Sequence, residues 1–207
     1  MRRKRELYVG GTFLAAIIAL GVVSITLDRR AEAQGQAAMQ VPMFEVDPLW
    51  PKPLPNHWVT GNNIGIAVDA SDNVWVLHRT GGVPAQLKNA GASCCPTAPD
   101  IMGFDQAGNL IKSWGGPGPG YEWPQSNHGL TIDYKGNFWL AANGEKDTAV
   151  VKFSPEGKFL LQIGKQGVSA GSNDTANLNK ATEVTVDRAT NEVFVADGYG
   201  NRRVIVF

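Results

Sequence analysis

Cysteine is nearly absent from this chain, and the two present, Cys94 and Cys95, are neighbours. Cα atoms across one trans peptide lie about 3.8 Å apart, short of the usual disulfide span of roughly 4.4–6.8 Å. A bond between them would be strained, and an intermolecular bond is the alternative in an oxidising compartment. Adjacency also excludes the spacings of zinc-binding and dithiol redox motifs. Helical periodicity is missing too: after Leu27 no segment repeats apolar residues at three- and four-residue steps. Basic runs are absent from the body. Formal charge is zero overall, but residues 1–33 hold six basic and three acidic residues, and removing these from the 19 of each sign leaves 13 basic against 16 acidic. A mildly acidic body with no basic stripe excludes a nucleic-acid surface, so no nucleic-acid partner is expected.

What is present begins with a leader. Arg2, Arg3, Lys4 and Arg5 precede an apolar run from Tyr8 to Leu27, and Ala31-Glu32-Ala33 gives a small-x-small cleavage pattern before Gln34. Residues 1–33 read as a signal peptide or, uncleaved, as an N-terminal anchor whose residues 7–27 are long enough to span a bilayer. Both readings keep the positive cluster cytoplasmic and put the body outside, periplasmic or secreted, with the membrane touched only through such an anchor. Residues 34–60 form a polar spacer and a proline-rich arm. Prolines remove ladder donors, so Phe44-Glu45-Val46-Asp47-Pro48-Leu49-Trp50-Pro51 suits an edge strand or an extended segment.

The body repeats itself. Gly65-Ile66-Ala67-Val68-Asp69 followed by Asn73-Val74-Trp75-Val76 returns as Gly129-Leu130-Thr131-Ile132-Asp133 and Asn137-Phe138-Trp139-Leu140, then as Glu183-Val184-Thr185-Val186-Asp187 and Glu192-Val193-Phe194-Val195. Each copy resolves into short strands parted by tight Gly, Asn and Pro turns. In copy two the strands are expected at Leu130–Asp133, Phe138–Ala142, Ala149–Phe153 and Phe159–Ile163. Four antiparallel strands per repeat of roughly 50 residues describe a β-propeller blade. The expected fold is therefore an all-β propeller preceded by a signal or anchor helix. About three blades are present, fewer than the roughly four to eight that close a ring: blade 1 at about 61–114, blade 2 at about 128–163, and blade 3 at about 181–207 without its outer strand. The expectation is a piece of a longer protein; the alternative is a dimer of half-propellers with Phe44–Val46 supplying the missing strand in trans.

One set of turns is uniformly tight and the other is long: Arg79 to Asp100, Gly115 to His128, and Gly164 to Lys180. In an up-and-down blade the long set shares one face, and long loops inside a compact domain are usually functional. A small-molecule or peptide ligand is expected there. Arg79 ends the second strand of copy one, His128 opens the first strand of copy two, and Tyr199 follows the second strand of copy three, so all three belong to that face. Each has a plainer reading: a hydrogen-bonded structural histidine, a surface charge, a loop aromatic. Asp69, Asp133 and Asp187 recur once per blade and are assigned to turn hydrogen bonds.

The Asp-x-x-Gly-Asn turn, the aromatic after it, and Ala196-Asp197-Gly198-Tyr199-Gly200-Asn201-Arg202-Arg203-Val204 resemble NHL repeats. Within that superfamily, Leu77-His78-Arg79, His128-Gly129-Leu130-Thr131-Ile132-Asp133 and Ala196-Asp197-Gly198-Tyr199 are similar to the six-bladed peptidyl-α-hydroxyglycine α-amidating lyases. The resemblance covers roughly Gly61 to Phe207. It implies that His128 is one of three zinc histidines, Tyr199 the proton acceptor and Arg79 an active-site arginine. It also implies that the backbone carbonyls of Ile66 and Leu130 hold a structural calcium. The implied reaction cleaves the C–N bond of a carbinolamide to an amide and glyoxylate. The chain departs from the pattern in three ways: two zinc histidines would lie past Phe207, Gly200 stands where animal lyases have cysteine, and Thr80–Asp100 matches no family signature. A non-catalytic propeller that binds a protein or small ligand on the same face is the alternative, and a scaffold whose loops only mediate contacts is a third reading.

Overall fold

The computed structural model describes residues 17–25, 42–84 and 95–207. The chain divides into two units, Met1–Asp47 and Pro48–Phe207. In the first, residues 17–25 are helical and residues 42–47 join no strand, so Phe44–Val46 is not the edge strand the sequence allowed. No helix among the described residues is long and apolar enough to cross a membrane. The rest of the leader, the spacer to residue 41 and Cys94 lie outside the described residues. Cys95 is disulfide-bonded.

The second unit holds three antiparallel sheets, each made of consecutive strands in chain order. The first is β1 (Asn62–Val68), β2 (Val74–Arg79), β3 (Ile101–Phe104) and β4 (Leu110–Trp114). The second is β5 (Asn127–Ile132), β6 (Phe138–Ala142), β7 (Ala149–Phe153) and β8 (Phe159–Gly164). The third has three strands, β9 (Glu183–Val186), β10 (Val193–Asp197) and β11 (Arg203–Val206). The fold is all-β and propeller-type, and each sheet is one blade. The turns after β1, β5 and β9 close on aspartates. Asp133 accepts from the amides of Lys135 and Asn137, from the Asn137 side chain and, at 3.1 Å, from Trp139 Nε1. Asp69 repeats this set with Ser71, Asn73 and Trp75. Asp187 takes the amides of Ala189 and Thr190. One carboxylate thus satisfies a tight turn and ties it to the following strand.

Alternation along the strands builds the layers between blades. Trp75, Leu77 and Ile101 of blade 1 interdigitate with Leu130, Phe138, Leu140, Val151 and Phe153 of blade 2. Trp75 meets Phe138 edge-on with centroids 4.6 Å apart. The opposite face of blade 2 presents Trp139, Ala141 and Val150 to Val184, Val193 and Val195 of blade 3. Blade 1 is not bare on its other side: Trp50, Leu54 and Trp58 pack on Met102 and Phe104, and Lys52 N donates to Gly108 O. Blade 3 by contrast exposes Phe194, Val204, Val206 and Phe207.

The inner strands extend further than the apolar pattern suggested. β5 starts at Asn127 rather than Leu130 because a register shift between Asn127 and Gly129 lets the ladder continue past His128. β1 has the same irregularity between Asn63 and Gly65. Bulges of this kind turn one side chain out of the strand's alternation. In blade 2 the bulged residue is His128.

Candidate functional site

His128 is half-buried at the long-loop end of β5. Its Nδ1 lies 3.2 Å from the carbonyl oxygen of Thr182 and its Nε2 3.4 Å from the hydroxyl of Tyr199. A carbonyl can only accept, so the neutral ring carries its proton on Nδ1 and turns the Nε2 lone pair to Tyr199. The two rings meet edge-on at 5.4 Å. Nε2 has a single lone pair, free either to accept the Tyr199 hydroxyl proton or to bind a cation. A backbone carbonyl that fixes the far nitrogen is the usual support of a metal-binding histidine. His128 therefore suits one zinc ligand, and among the described residues no group of three His, Cys, Asp or Glu side chains completes a metal site.

Tyr199 follows β10 and is 62% exposed, open to an incoming molecule. Its loop is held from beneath by backbone bonds, Tyr199 N to Lys180 O and Gly200 N to Asn179 O. Side chain and loop thus divide the work: the ring is exposed beside His128, the backbone is fixed.

Arg79 lies on the other side of β5. Its Nε donates to Asn127 O at 2.7 Å, the carbonyl that precedes His128, and its Nη2 to Asn143 Oδ1 at 2.9 Å. Both acceptors are neutral. No carboxylate of the described residues forms an ion pair with Arg79, since the two ion pairs there are Lys152–Asp133 and Arg203–Asp197. A partly buried guanidinium with its charge uncompensated is suited to an anionic ligand. It borders a cleft of about 420 Å³ between blades 1 and 2, with Asn62, Thr80, Asp100, Trp123 and Asn127 also in the wall. Neither His128 nor Tyr199 lines this cleft. The structure thus joins two of the three expected residues directly and connects the third through the Asn127 carbonyl.

Several supporting residues gave no sequence signal. Asp100 is buried, which pushes its carboxyl above the usual range against the pull of His78, Asn127 and Trp123. His78 is a structural histidine: Gly61 N donates to its Nδ1 at 3.1 Å, so Nε2–H faces the carbonyls of Ala98 and Pro99. Asp147 takes the amides of Gln125, Ser126 and Gly144, and so fixes the approach to His128. Repetition could have pointed to none of these, because their partners lie in segments that differ from blade to blade.

The carbonyls of Ile66 and Leu130 can be placed by ladder phase. Asp69 N bonds Asn73 O and Asp133 N bonds Asn137 O, so residues an even number of positions back pair with the second strand. Ile66 and Leu130, opposite Val76 and Leu140, fall on the alternate phase and turn their carbonyls to the free edge of the innermost strands. The matching carbonyl of blade 3, Val184 O, accepts from Thr131 Oγ1 at 2.6 Å. Ala67, at the position of Thr131, has no hydroxyl to do the same for Leu130. The two carbonyls thus suit a hard cation in direction and chemistry.

No family model matches the chain. Among curated proteins it is similar to peptidyl-alpha-hydroxyglycine alpha-amidating lyase 2 of Drosophila melanogaster, with 43% identity over 84 residues, 39% of this chain and 19% of that protein. A probable peptidyl-alpha-hydroxyglycine alpha-amidating lyase of Caenorhabditis elegans is 34% identical over 80 residues, 39% of this chain and 22% of that one. Peptidyl-glycine alpha-amidating monooxygenase of Mus musculus is 39% identical over 85 residues, which is 8% of its length. The match thus spans less than a quarter of these relatives. Among solved structures, a gluconolactonase from Xanthomonas campestris superposes with a TM-score of 0.41 at 17% identity, over 71% of this chain and 37% of that one. Virginiamycin B lyase from Staphylococcus aureus gives 0.39 at 15%, over 72% and 41%. The chain is a propeller-type protein that resembles the peptidyl-α-hydroxyglycine α-amidating lyases over about two fifths of its length.

Proposed function

We propose that this chain belongs to an exported, metal-dependent lyase that splits an N-acyl-α-hydroxyglycine into a primary amide and glyoxylate. The observation that carries the reading is the His128–Tyr199 pair, with the Nε2 lone pair and the phenol oxygen side by side on the long-loop face. In the reaction the substrate hydroxyl loses its proton, the carbinol carbon becomes the aldehyde of glyoxylate, and the C–N electron pair passes to nitrogen, which is protonated. Tyr199, ionised, takes the hydroxyl proton. Arg79 would hold the substrate carboxylate with the guanidinium donors that Asn127 and Asn143 leave unused. His128 Nε2 would hold zinc, which when bound lowers the pKa of the substrate hydroxyl and orients it. Ile66 and Leu130 carbonyls would hold a structural calcium. The export leader and the resemblance together support a periplasmic or secreted location.

The test is zinc content of the full-length protein before and after His128→Ala, with glyoxylate release from an N-acyl-α-hydroxyglycine measured in parallel. Loss of zinc and of turnover together is expected. Unchanged stoichiometry would falsify the ligand assignment. A second reading, a propeller that binds a ligand without catalysis, is favoured by the cleft beside Arg79, which includes neither His128 nor Tyr199. Ligand binding with no glyoxylate formed from any acyl-hydroxyglycine would select it.

A further inference from the structure

The short segment Asn179–Thr182 touches both members of the pair. Thr182 O receives His128 Nδ1–H, Lys180 O receives Tyr199 N, and Asn179 O receives Gly200 N at 3.0 Å. The same segment reaches back to blade 2, where Lys180 N donates to Asp147 O at 2.8 Å. Lys180 adopts φ +61°, the left-handed region that a lysine enters only when its surroundings hold it there. A buried ion pair fastens the residue before it. Asp197, fully buried, takes Asn179 N on Oδ1 at 2.7 Å, and Asn201 Nδ2 and Arg203 Nε on Oδ2 at 2.7 and 2.9 Å. Arg203 gives three of its remaining donors to the carbonyls of Ser172, Asp174 and Asn177, and so fastens the loop that leads into Asn179. Gly200 closes the gap: a Cβ there would stand 2.2 Å from the Asn179 side chain.

We propose that the Asp197–Arg203 ion pair is a positioning device that sets the contact between His128 and Tyr199, acting through Asn179–Thr182. Neither residue touches a reacting atom. The pair is a non-covalent staple for the Tyr199 loop, and its strength depends on the arginine fork, because three loop carbonyls and one carboxylate need donors fixed in one plane. Its kinetic consequence rests on the lyase reading; its structural consequence does not.

The experiment uses the full-length protein and three variants. Arg203→Lys keeps the charge and removes the fork. Gly200→Ala leaves the ion pair intact and pushes on Asn179 directly, so it tests the same path should Arg203→Lys fail to fold. Lys152→Met breaks the other buried ion pair, Lys152–Asp133, at the tight-turn side. Crystal structures report the His128 Nε2 to Tyr199 Oη distance. The expected result is loss of that contact in Arg203→Lys and Gly200→Ala, and its retention in Lys152→Met whatever the change in unfolding temperature. Where turnover is measurable, the first two variants lower kcat at least tenfold with KM within twofold, and Lys152→Met leaves both near wild type. Retention of the contact in both Arg203→Lys and Gly200→Ala overturns the proposal, as does equal loss in Lys152→Met. A protein that never turns over an acyl-hydroxyglycine but loses the contact as described sinks the lyase reading and keeps this one.

Discussion

Alanine at Gly129 would place a methyl group 2.3 Å from the carbonyl oxygen of Thr182 and 3.2 Å from the Cα of Glu183. Both obstacles are backbone, so no rotamer change relieves them. Strand β9 would have to retreat from β5 by about 1 Å to restore ordinary contact, and overpacking of this kind costs about 1–3 kcal/mol. For a protein of this size each kcal/mol lowers the unfolding temperature by roughly 2–4 °C, so a fall of about 2–12 °C is expected. Thr182 O is also the acceptor for His128 Nδ1–H, so the same retreat loosens the imidazole and a double penalty results: lower stability and a freed His128 ring. Urea denaturation of wild type, Gly129→Ala and Gly81→Ala, the last with nothing within 4 Å of the added Cβ, isolates the effect from the general cost of removing a glycine. If the two variants unfold within about 0.5 kcal/mol of each other, the close approach of β5 and β9 is not what holds this edge of the site.

Acid should act through the turns. Burial alone would raise Asp69 and Asp133, but hydrogen bonds from Asn73 and Trp75, and from Asn137, Trp139 and Lys135, outweigh it and hold both below 3.8. A depressed carboxylate stabilises the fold above its unfolded value, and that contribution drains away as pH falls through the folded one, so unfolding temperature should drop below about pH 4. Asp100, raised by burial, runs the other way, its contribution present below 3.8 and lost as pH rises through its folded value. A flat profile from pH 5 to 2 would contradict the turn assignment. Trp139→Phe removes the bond to Asp133 and leaves a smaller, weaker aromatic face under Lys152, whose Nζ lies 4.7 Å from the indole centroid, and should cost about 1–3 kcal/mol by denaturant titration. Trp75→Phe, at a more exposed copy of the same turn, should cost less.

Repetition made the blades legible because each copy solves the same packing problem with the same residue types. Phe138–Ala142 and Ala149–Phe153 stand where their apolar pattern put them. Strand starts were not legible: a bulge is a backbone event, and nothing in Asn127-His128-Gly129 distinguishes a ladder that continues from one that begins. Arg79, His128 and Tyr199 could be placed on one face by counting turns, but counting could not show that Arg79 faces a cleft on the far side of β5. Asp147 escaped notice for a different reason. A buried carboxylate that collects backbone amides carries no spacing of its own, since its partners contribute peptide groups rather than side chains. Four of the six tryptophans divide likewise: Trp75 and Trp139 repeat, whereas Trp50 and Trp58 owe their places to the arm that covers blade 1.

That cover makes the arm part of the first blade's packing. An apolar blade face needs shielding, and here Trp50, Leu54 and Trp58 supply it for blade 1. Any change to the arm strips apolar surface from Met102 and Phe104, so its cost is expected to fall on the blade it covers and to leave the seam between blades 2 and 3 untouched.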